Sequence, residues 1–231
     1  MANNPKPHEL RDHSFRKRNG IERTLKPRPI LPERHLFVSE GTKTEPNYLN
    51  GIIDKICQRI GDNARHQLVV IGDGNCTLHL LSKAEKYQRN DSDGFQHVWI
   101  IFDKDDFPQD AFDNTVSRCK ALNKRYLNNR DLQFHAIWSN QCIELWFLLH
   151  YEYLLSDIPR ENYREKLSKY IGRKYEKNDD HIFQTLSPNI ERAIKNAKKL
   201  MEEYEDGTPP SQMAPSTNFY ELIEALINYI T

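Results

Sequence analysis

The stretch "HLFVSEGTKTEPNYLNGI", residues 35–52, decides the fold. A short apolar run leads through Glu40 and Gly41 into a segment, Pro46–Ile60, whose apolar residues return every three or four positions. The first pattern is typical of a buried strand and the second of an amphipathic helix. Gly41 lacks a Cβ and so permits a sharp turn between them. The stretch therefore predicts a β-strand that ends at a carboxylate and turns at once into a helix.

The same alternation of apolar runs and amphipathic segments continues for about a hundred residues. The predicted strands are Leu36–Ser39, Leu68–Ile71, Val98–Phe102 and Phe134–Trp138. The predicted helices between them are Pro46–Ile60, Leu78–Arg89 and Ala111–Leu127. Strands that alternate with helices form right-handed β-α-β units on a mostly parallel sheet. We therefore expect an α/β fold with a four-stranded, mostly parallel sheet flanked by helices.

The remaining sequence is predominantly helical. A strongly apolar helix is predicted at Cys142–Leu155, and amphipathic helices follow at Glu161–Tyr170, Ile190–Tyr204 and Phe219–Ile230. Five prolines and little apolar periodicity favour an extended arm at the N-terminus. The predicted organisation is an arm at 1–34, an α/β core at 35–155 and a C-terminal helical extension at 156–231.

Charge restricts where a nucleic acid can bind. The 231-residue chain has a formal net charge of zero, so any surface for a polyphosphate must be local. Residues 1–34 hold nine Lys and Arg against four Asp and Glu, and residues 160–199 hold eleven against six. No apolar run reaches the ~18 residues of a membrane helix, which favours a soluble, cytoplasmic protein without a membrane partner.

Three carboxylates are expected to meet at one edge of the sheet. Glu40 follows the first predicted strand, and Asp103 and Asp105 follow the third in "VWIIFDKDDF", residues 98–107. If the chain stays extended, the D-x-D side chains point the same way and can reach one ion. Such oxygen ligands suit Mg²⁺ or Mn²⁺. The alternatives are that a single acid at a strand end caps a helix and that "DKDD" is a solvated turn.

Further candidates lie beside these acids. Gly41 would let an anionic ligand approach, Lys43 would contact a phosphate, and Glu45 would favour the positive end of the helix that Thr44 caps. An exposed lysine without a role is the alternative for Lys43. We take Gly41, Lys43 and Glu45 as candidate substrate-binding residues.

Two more candidates come from "SNQCIELWFLLH", residues 139–150. Glu144 lies at the start of a helix just past the fourth strand, where it would be an additional ligand or an acid/base group, or else a cap. Asn140 would orient Glu144 or a substrate phosphate. The apolar residues around them are expected to be packing.

These motifs carry a family resemblance. The chain resembles the RloB-like family in "EGTKTEPNY" (40–48), "DKDDF" (103–107), "WSNQCIELWFLLHYE" (138–152) and "APSTNFYELI" (214–223). That family is similar to the Toprim fold, a Rossmann-like α/β fold. The resemblance implies that Glu40, Asp103 and Asp105 hold a catalytic Mg²⁺, that the protein acts in phage defence, and that an ATPase is its partner. A second copy of the chain is a further candidate partner.

Three classes of function follow from these residues. The first is a Mg²⁺- or Mn²⁺-dependent nuclease in which Glu40 or Glu144 serves as general base. The others are a non-catalytic partner of an ATPase and a phosphatase of the haloacid-dehalogenase type, which would normally carry D-x-D on its first strand. The sequence has no H-E-x-x-H and no G-x-S-x-G, so zinc hydrolysis and serine acyl transfer lack candidates.

A basic segment is the candidate surface for nucleic acid. In "KLSKYIGRKYEK", residues 166–177, five cations would contact the backbone: Lys166, Lys169, Arg173, Lys174 and Lys177. Of these we nominate Lys169, Arg173 and Lys174 as substrate-binding residues, and Tyr170 and Tyr175 would offer stacking faces for unpaired bases. A solvated helix face is the alternative. This segment guides a strand only if it lies beside the carboxylates.

Overall fold

A computed structural model describes residues 30–74, 77–105, 108–126 and 132–231. Its strands are β1 (His35–Ser39), β2 (Leu68–Gly72), β3 (His97–Asp103), β4 (Gln133–Asn140) and β5 (Ser216–Thr217). Its α-helices are α1 (Thr44–Ile60), α2 (Thr77–Asn90), α3 (Gln109–Arg125), α4 (Glu144–Leu149), α5 (Arg160–Ile171), α6 (Ile182–Leu186), α7 (Ile190–Met201) and α8 (Phe219–Ile230). Helices pack against both faces of the sheet, which confirms the predicted α/β class.

The sheet has the strand order β2-β1-β3-β4-β5. The first four strands are parallel, as predicted, and β5 runs antiparallel along the edge of β4. The prediction of four strands was therefore one strand short. A two-residue strand inside a Gly- and Pro-rich loop carries no period that a sequence pattern can reveal.

The parallel register brings two strand ends together. Ser39, the last residue of β1, is paired with Ile101 of β3, and the backbone N–H of Glu40 donates to the carbonyl of Ile101 at 2.9 Å. Asp103, the last residue of β3, is paired with Ser139 of β4. The carboxyl ends of these strands therefore form one edge, where ligands collect in open α/β sheets.

Alternate strand residues enter two different hydrophobic cores. Leu36 and Val38 of β1 face one core, beneath α2 and α3. Phe37 faces the other core, which also contains the buried residues of α1 and of α4 to α8. This alternation is the period of two that a sheet covered on both faces requires. The helices that follow β4 thus pack onto the same core as the central strands.

The predicted helix at Cys142–Leu155 proved too long. α4 ends at Leu149, and its last turn tightens where the N–H of Tyr151 donates to the carbonyl of Leu148 at 2.8 Å. Leu155, at the end of the apolar run, is 57% exposed. The apolar pattern continues past the helix because packing, rather than helix periodicity, buries Leu154. The short helix α6 was missed, since five residues span less than two turns.

Most of the predicted N-terminal arm, residues 1–29, lies outside the described residues. The described end of the arm is held to the fold, because the Arg34 guanidinium forms an ion pair with Asp91 at 2.6 Å. The division into arm, core and extension stays a prediction. No helix in the described part of the chain is long and apolar enough to cross a membrane.

Three histidines cluster at the amino end of the sheet. The indole N–H of Trp99 donates to Nδ1 of His35 at 2.9 Å, and Nδ1 of His97 lies 3.0 Å from Nε2 of His135. Burial, followed by the charges of neighbouring histidines, lowers the pKa of His35 to about 3. Burial and then His97 lower the pKa of His135 to about 4. Protonation of His35 would break the bond from Trp99, so the folded state holds this imidazole neutral.

Three histidines with lowered pKa values, His35, His135 and His150, should destabilise the folded state in mild acid. Burial also lowers the pKa of His150 to about 4, so three imidazoles resist protonation in the folded state and accept it in the unfolded state. Their contribution to stability is complete above the ordinary histidine pKa of about 6.5 and is lost as the pH falls towards 4. Each group should cost about 1.4 kcal/mol of unfolding free energy per pH unit below about pH 6.

Urea unfolding between about pH 7 and about pH 5 measures this slope. The variant His135→Gln should lose about a third of the histidine contribution, because one of three titrating groups is gone. The matched variant His66→Gln, at an exposed position, should keep the wild-type slope. A slope that His135→Gln leaves at the wild-type value would contradict the prediction; the raised pKa values of Asp103 and Glu45 add an opposite slope to all three proteins, so the comparison between them is the test.

Candidate functional site

A pocket of about 360 Å³ opens at the carboxyl edge of the sheet. Five carboxylates line it: Glu40, Glu45, Asp103, Asp105 and Glu144. Lys43 and Lys177 are the only cationic side chains that line it among the described residues. We call this site the acid pocket. It brings together all four residues that the sequence nominated as catalytic.

Four of the acids lie at the ends of strands or at the starts of helices. Glu40 is the first residue after β1, Asp103 is the last residue of β3, and Glu144 is the first residue of α4. Glu45 comes from the first turn of α1. The acids of the pocket therefore come from three chain segments, 40–45, 103–105 and 144, that are distant in sequence and converge because β1, β3 and β4 are neighbours in the sheet.

Asp105 reaches the pocket by a route that the sequence did not predict. β3 ends at Asp103, and Asp105 has a left-handed backbone with φ of 41°. The turn is held by bonds from the N–H of Lys104 to the carbonyl of Ser139 (2.9 Å) and from the N–H of Asp105 to the carbonyl of Gln141 (3.0 Å). The expected extended D-x-D arrangement is therefore wrong. The two carboxylates share the pocket because the chain turns, and not because they alternate along a strand.

The space above Gly41 is occupied by a side chain of the protein and not by the predicted ligand. A Cβ at this position would lie 2.0 Å from Oε2 of Glu45, so the Glu45 side chain fills the space above the glycine. That carboxyl is buried and accepts hydrogen bonds from the backbone of Gly41 and from its own backbone. The glycine makes room for an internal carboxylate, and the expected approach of a ligand over its Cα is blocked by Glu45.

The predicted cap of α1 was also wrong. Thr44 is already helical, and its hydroxyl donates to the carbonyl of Lys177 at 3.0 Å instead of capping the helix. This bond joins the start of α1 to the turn that follows α5. It fixes Lys177 beside the acid pocket.

Two arginines of α5 neutralise part of the pocket. Arg160 forms an ion pair with Asp105 at 2.8 Å, and Nε of Arg164 lies 3.4 Å from Oε1 of Glu144. Glu144 is 1% exposed, and its Oε1 accepts no hydrogen bond from the described residues. A buried carboxylate oxygen without a hydrogen bond is costly. Oε1 of Glu144 thus faces the Arg164 guanidinium at ion-pair distance without accepting a hydrogen bond from it.

Crowding changes the acidity of the pocket. Burial and then the charges of Glu45, Asp105 and Glu144 raise the pKa of Asp103 well above its ordinary value, although the N–H of Ile143 donates to its Oδ2 at 3.1 Å. Burial and then Glu144 raise the pKa of Glu45. Both shifts have the same cause, which is that several negative charges cannot share a small desolvated volume. The pocket therefore favours a bound cation or a bound proton.

The donor chemistry of the acid pocket fits a hard divalent cation, since all five acids offer carboxylate oxygens. The arrangement is not that of a ready-made site. No group of three or more His, Cys, Asp or Glu side chains among residues 30–74, 77–105, 108–126 and 132–231 is gathered closely enough to hold a metal ion. An ion would have to draw the carboxylates together against the hold of Arg160 and Arg164. Asp106, the last acid of the "DKDD" motif, lies outside the described residues.

Asn140 does not serve the pocket as expected. Its amide group donates to the carbonyls of Pro210 at 3.1 Å and Ser211 at 3.2 Å, and it does not line the acid pocket. Ser211 is held in turn by Asp113, whose carboxylate accepts its N–H at 3.0 Å. Asn140 therefore fastens the loop that leads to β5, and its proposed role in orienting Glu144 or a phosphate is not what the geometry shows.

A second, wider depression adjoins the acid pocket. It has a volume of about 1070 Å³. Its cationic lining comes from Lys43, Arg164, Lys169, Arg173, Lys174 and Lys177. We call it the basic cleft. Lys43 and Lys177 line both depressions, so the basic cleft and the acid pocket share a wall.

The three nominated cations all line the basic cleft, but their environments differ. Arg173 forms an ion pair with Asp179, and Lys174 forms one with Glu176 at 2.8 Å. Lys169 makes no ion pair within the described part of the chain. The segment therefore lies beside the carboxylates, as a guiding surface requires.

The expected stacking faces are not there. Tyr175 is 5% exposed, and its ring packs against Phe147 with centroids 6.3 Å apart. Tyr170 is exposed but does not line the cleft; its ring is stacked on Tyr151, and its hydroxyl donates to Glu152 at 2.9 Å. The alternation of cations and tyrosines in the sequence did not reveal which side chains the fold would bury.

Sequence reasoning did not single out Arg160 or Arg164 as site residues, and it placed Lys177 in the basic segment without relating it to the carboxylates. The two arginines are four residues apart, a spacing that places them on one face of a helix. That spacing shows a shared face without showing what the face meets. The pairing of α5 with Asp105 and Glu144 depends on tertiary packing.

The fit between Gly41 and Glu45 predicts a specific coupling. Gly41→Ala should reduce the unfolding free energy by about 1–3 kcal/mol, because the new methyl group expels the Glu45 carboxyl from its backbone bonds. In a Glu45→Ala background the same change should cost much less, since the clash is gone. Chemical unfolding of the four proteins of this double-mutant cycle measures the coupling, and additive costs would contradict the contact.

Comparisons with known proteins agree with the sequence motifs. No curated protein and no solved structure matches the chain. The RloB-like protein family matches residues 35–226, a range that includes every residue of the acid pocket and of the basic cleft. This match confirms the resemblance seen in the motifs and covers most of the chain. The chain therefore belongs to the family of RloB-like proteins.

Proposed function

We propose that this protein is a nuclease that depends on Mg²⁺ or Mn²⁺ and hydrolyses phosphodiester bonds. The observation that carries the proposal is the shared wall between the acid pocket and the basic cleft, formed by Lys43 and Lys177. A metal-dependent nuclease needs cationic side chains along the phosphate backbone of its substrate. It also needs a cluster of acids that binds metal at the bond that breaks. The two adjoining depressions supply both requirements side by side.

Glu40, Asp103 and Asp105 are the residues that would hold the metal. When bound, the metal would neutralise charge on the scissile phosphate and lower the pKa of a water molecule. The raised pKa of Asp103 supports this assignment, because a carboxyl that resists ionisation among like charges gains most from a cation.

The other side chains would act on the substrate and on the attacking water. Lys43 and Lys177 would contact phosphate oxygens where the strand passes from the cleft into the pocket. Glu144, which lines the acid pocket, would accept a proton from the attacking water through its carboxylate. Arg164 would hold the Glu144 carboxylate in place from 3.4 Å.

A role in phage defence and an ATPase partner are proposed on the family resemblance alone. The geometry neither requires nor opposes a partner. Membership of the RloB-like family supports the biological setting, whereas the acid pocket and the basic cleft support the chemistry.

Cleavage assays test the nuclease. Purified protein should cut nucleic acid with Mg²⁺ or Mn²⁺ and should be inactive in excess chelator. Asp103→Asn should lower the cleavage rate by about 100-fold or more, since it removes a charge from the metal site. Asp110→Asn, at an exposed position in the first turn of α3, is the matched control and should keep wild-type activity.

The substrates should include duplex DNA, single-stranded DNA, tRNA and a small phosphate monoester. Failure to cleave any nucleic acid with either metal would overturn the proposal. Hydrolysis of the monoester alone would favour the phosphatase, and no hydrolysis at all would favour a non-catalytic partner of an ATPase.

Metal should also stabilise the folded protein. A ligand at about 100 times its Kd adds about 2.7 kcal/mol, which for a chain of this size corresponds to a rise in Tm of about 5–10 °C. Asp103→Asn should abolish most of this rise, while Asp110→Asn should retain it. Without metal, Asp103→Asn should melt above the wild type, because one of the crowded charges is gone.

Differential scanning calorimetry in matched ionic strength measures both effects. The prediction is contradicted if Mn²⁺ leaves the Tm of the wild type unchanged, or if Asp103→Asn keeps the full rise. This measurement does not depend on the identity of the substrate.

A further inference from the structure

We propose that the basic cleft binds duplex nucleic acid through its phosphate backbone and without reading or stacking the bases. The inference rests on the proposed nuclease function and names its substrate class. It comes from a contrast within the cleft between many accessible cations and a lack of accessible aromatic rings.

The cations of the cleft are available to phosphates. Lys43, Lys169 and Lys177 are exposed, and none of them makes an ion pair with another described residue. Arg173 and Lys174 are also exposed; the ion pair of Lys174 with Glu176 lies at the surface, where such pairs contribute little, whereas Arg173 is paired with the buried carboxylate of Asp179. A phosphate can therefore replace Glu176 at low cost and can share the exposed side of the Arg173 guanidinium.

Aromatic faces are not available in the same lining. Tyr175 is the single aromatic residue that lines the cleft in the described part of the chain, and it is 5% exposed. Its phenol lies against Thr44, and its backbone N–H already donates to the Ser168 hydroxyl at 3.0 Å. The buried tyrosine supports the turn that follows α5 and presents no ring to a ligand.

Tyr170, the exposed tyrosine of the same segment, has one ring face covered by another tyrosine. The ring of Tyr170 lies parallel to that of Tyr151, with an interplanar angle of 1° and centroids 4.9 Å apart. Its hydroxyl is held by Glu152, which also accepts from Lys166 at 2.7 Å. One face of Tyr170 is therefore covered, and the residue lies outside the cleft lining.

These observations favour a duplex over a single strand. Proteins that bind single strands gain about 1–3 kcal/mol per base from stacking on aromatic rings. A cleft of cations without open rings gives up that gain and is left with phosphate contacts. Duplex DNA carries a charge every ~1.7 Å along its axis, and its bases are already stacked on one another. The cleft therefore matches a substrate that offers dense charge and needs no partner for its bases.

Binding without cleavage tests the inference. Fluorescence anisotropy measures the binding of the Asp103→Asn protein, in the presence of chelator, to labelled duplex DNA, duplex RNA and single-stranded DNA. Each nucleic acid is about 20 nucleotides or base pairs long. We expect a duplex to bind at least about 10-fold more tightly than the single strand, and two unrelated duplex sequences to differ by no more than about 2-fold. The RNA and DNA duplexes show which backbone the cleft prefers.

Two sets of substitutions locate the binding surface. In the Asp103→Asn background, the triple variant Lys169→Ala, Arg173→Ala, Lys174→Ala should weaken duplex binding by about 10-fold and reduce the slope of log K against log salt by about two to three. The matched triple variant Lys55→Ala, Lys86→Ala, Lys195→Ala removes the same charge from exposed positions on α1, α2 and α7 and should keep affinity and slope. Tyr170→Leu should bind as the parent does, because its ring is not a stacking platform.

The inference is overturned if the single strand binds as tightly as the duplex, if Tyr170→Leu loses affinity, or if both triple variants behave alike. These results are independent of hydrolysis. A protein that binds duplex through the cleft but cleaves nothing would keep this inference and overturn the nuclease. Cleavage with a preference for single strands would keep the nuclease and overturn the duplex.

Discussion

Repulsion among the carboxylates at one edge of the sheet is the constraint on which the rest of the site depends. The parallel register of β1 and β3 places Glu40 beside the end of β3, where Asp103 lies, and α1 and α4 each add another acid. The pKa of Asp103 is raised because these charges crowd a buried volume. α5 reduces this repulsion, because Arg160 and Arg164 form ion pairs with two of the acids. The C-terminal helices are thus tied to the sheet by the electrostatics of the site as well as by their apolar faces.

Much of the fold could be predicted because its patterns are long. β1 to β4 each carry three or more apolar residues next to an amphipathic helix, and the observed strands match the predicted ones to within two residues at each end. β5 and α6 were missed because two and five residues are too few for a period to show. Positions of the acids at strand ends followed from the parallel topology alone, which is why Glu40 and Asp103 were found without the structure.

The parts of the site that escaped prediction depend on side chains from distant segments. Gly41 was predicted to make room for a ligand, but the group that fills the space above it is the Glu45 side chain. Tyr175 was expected to be open, yet it packs on Phe147 of α4. Asp105 was expected in an extended chain, yet it adopts a left-handed turn that directs it to Arg160. Local sequence shows which residue types are present, whereas tertiary packing decides which of their surfaces remain accessible.

The arrangement has a consequence for how metal and substrate would influence one another. Arg164 lines the basic cleft, and its guanidinium also lies 3.4 Å from the Glu144 carboxylate in the acid pocket. The same side chain can therefore interact with ligands in either depression. A cation in the pocket would weaken the attraction that Glu144 exerts on Arg164, and a phosphate in the cleft would compete for the same guanidinium. Because both ligands reduce the same ion pair, each would make the other easier to bind, as reciprocal linkage requires. The acid pocket and the basic cleft are therefore coupled through a single side chain, and a site that looks like two depressions would respond as one.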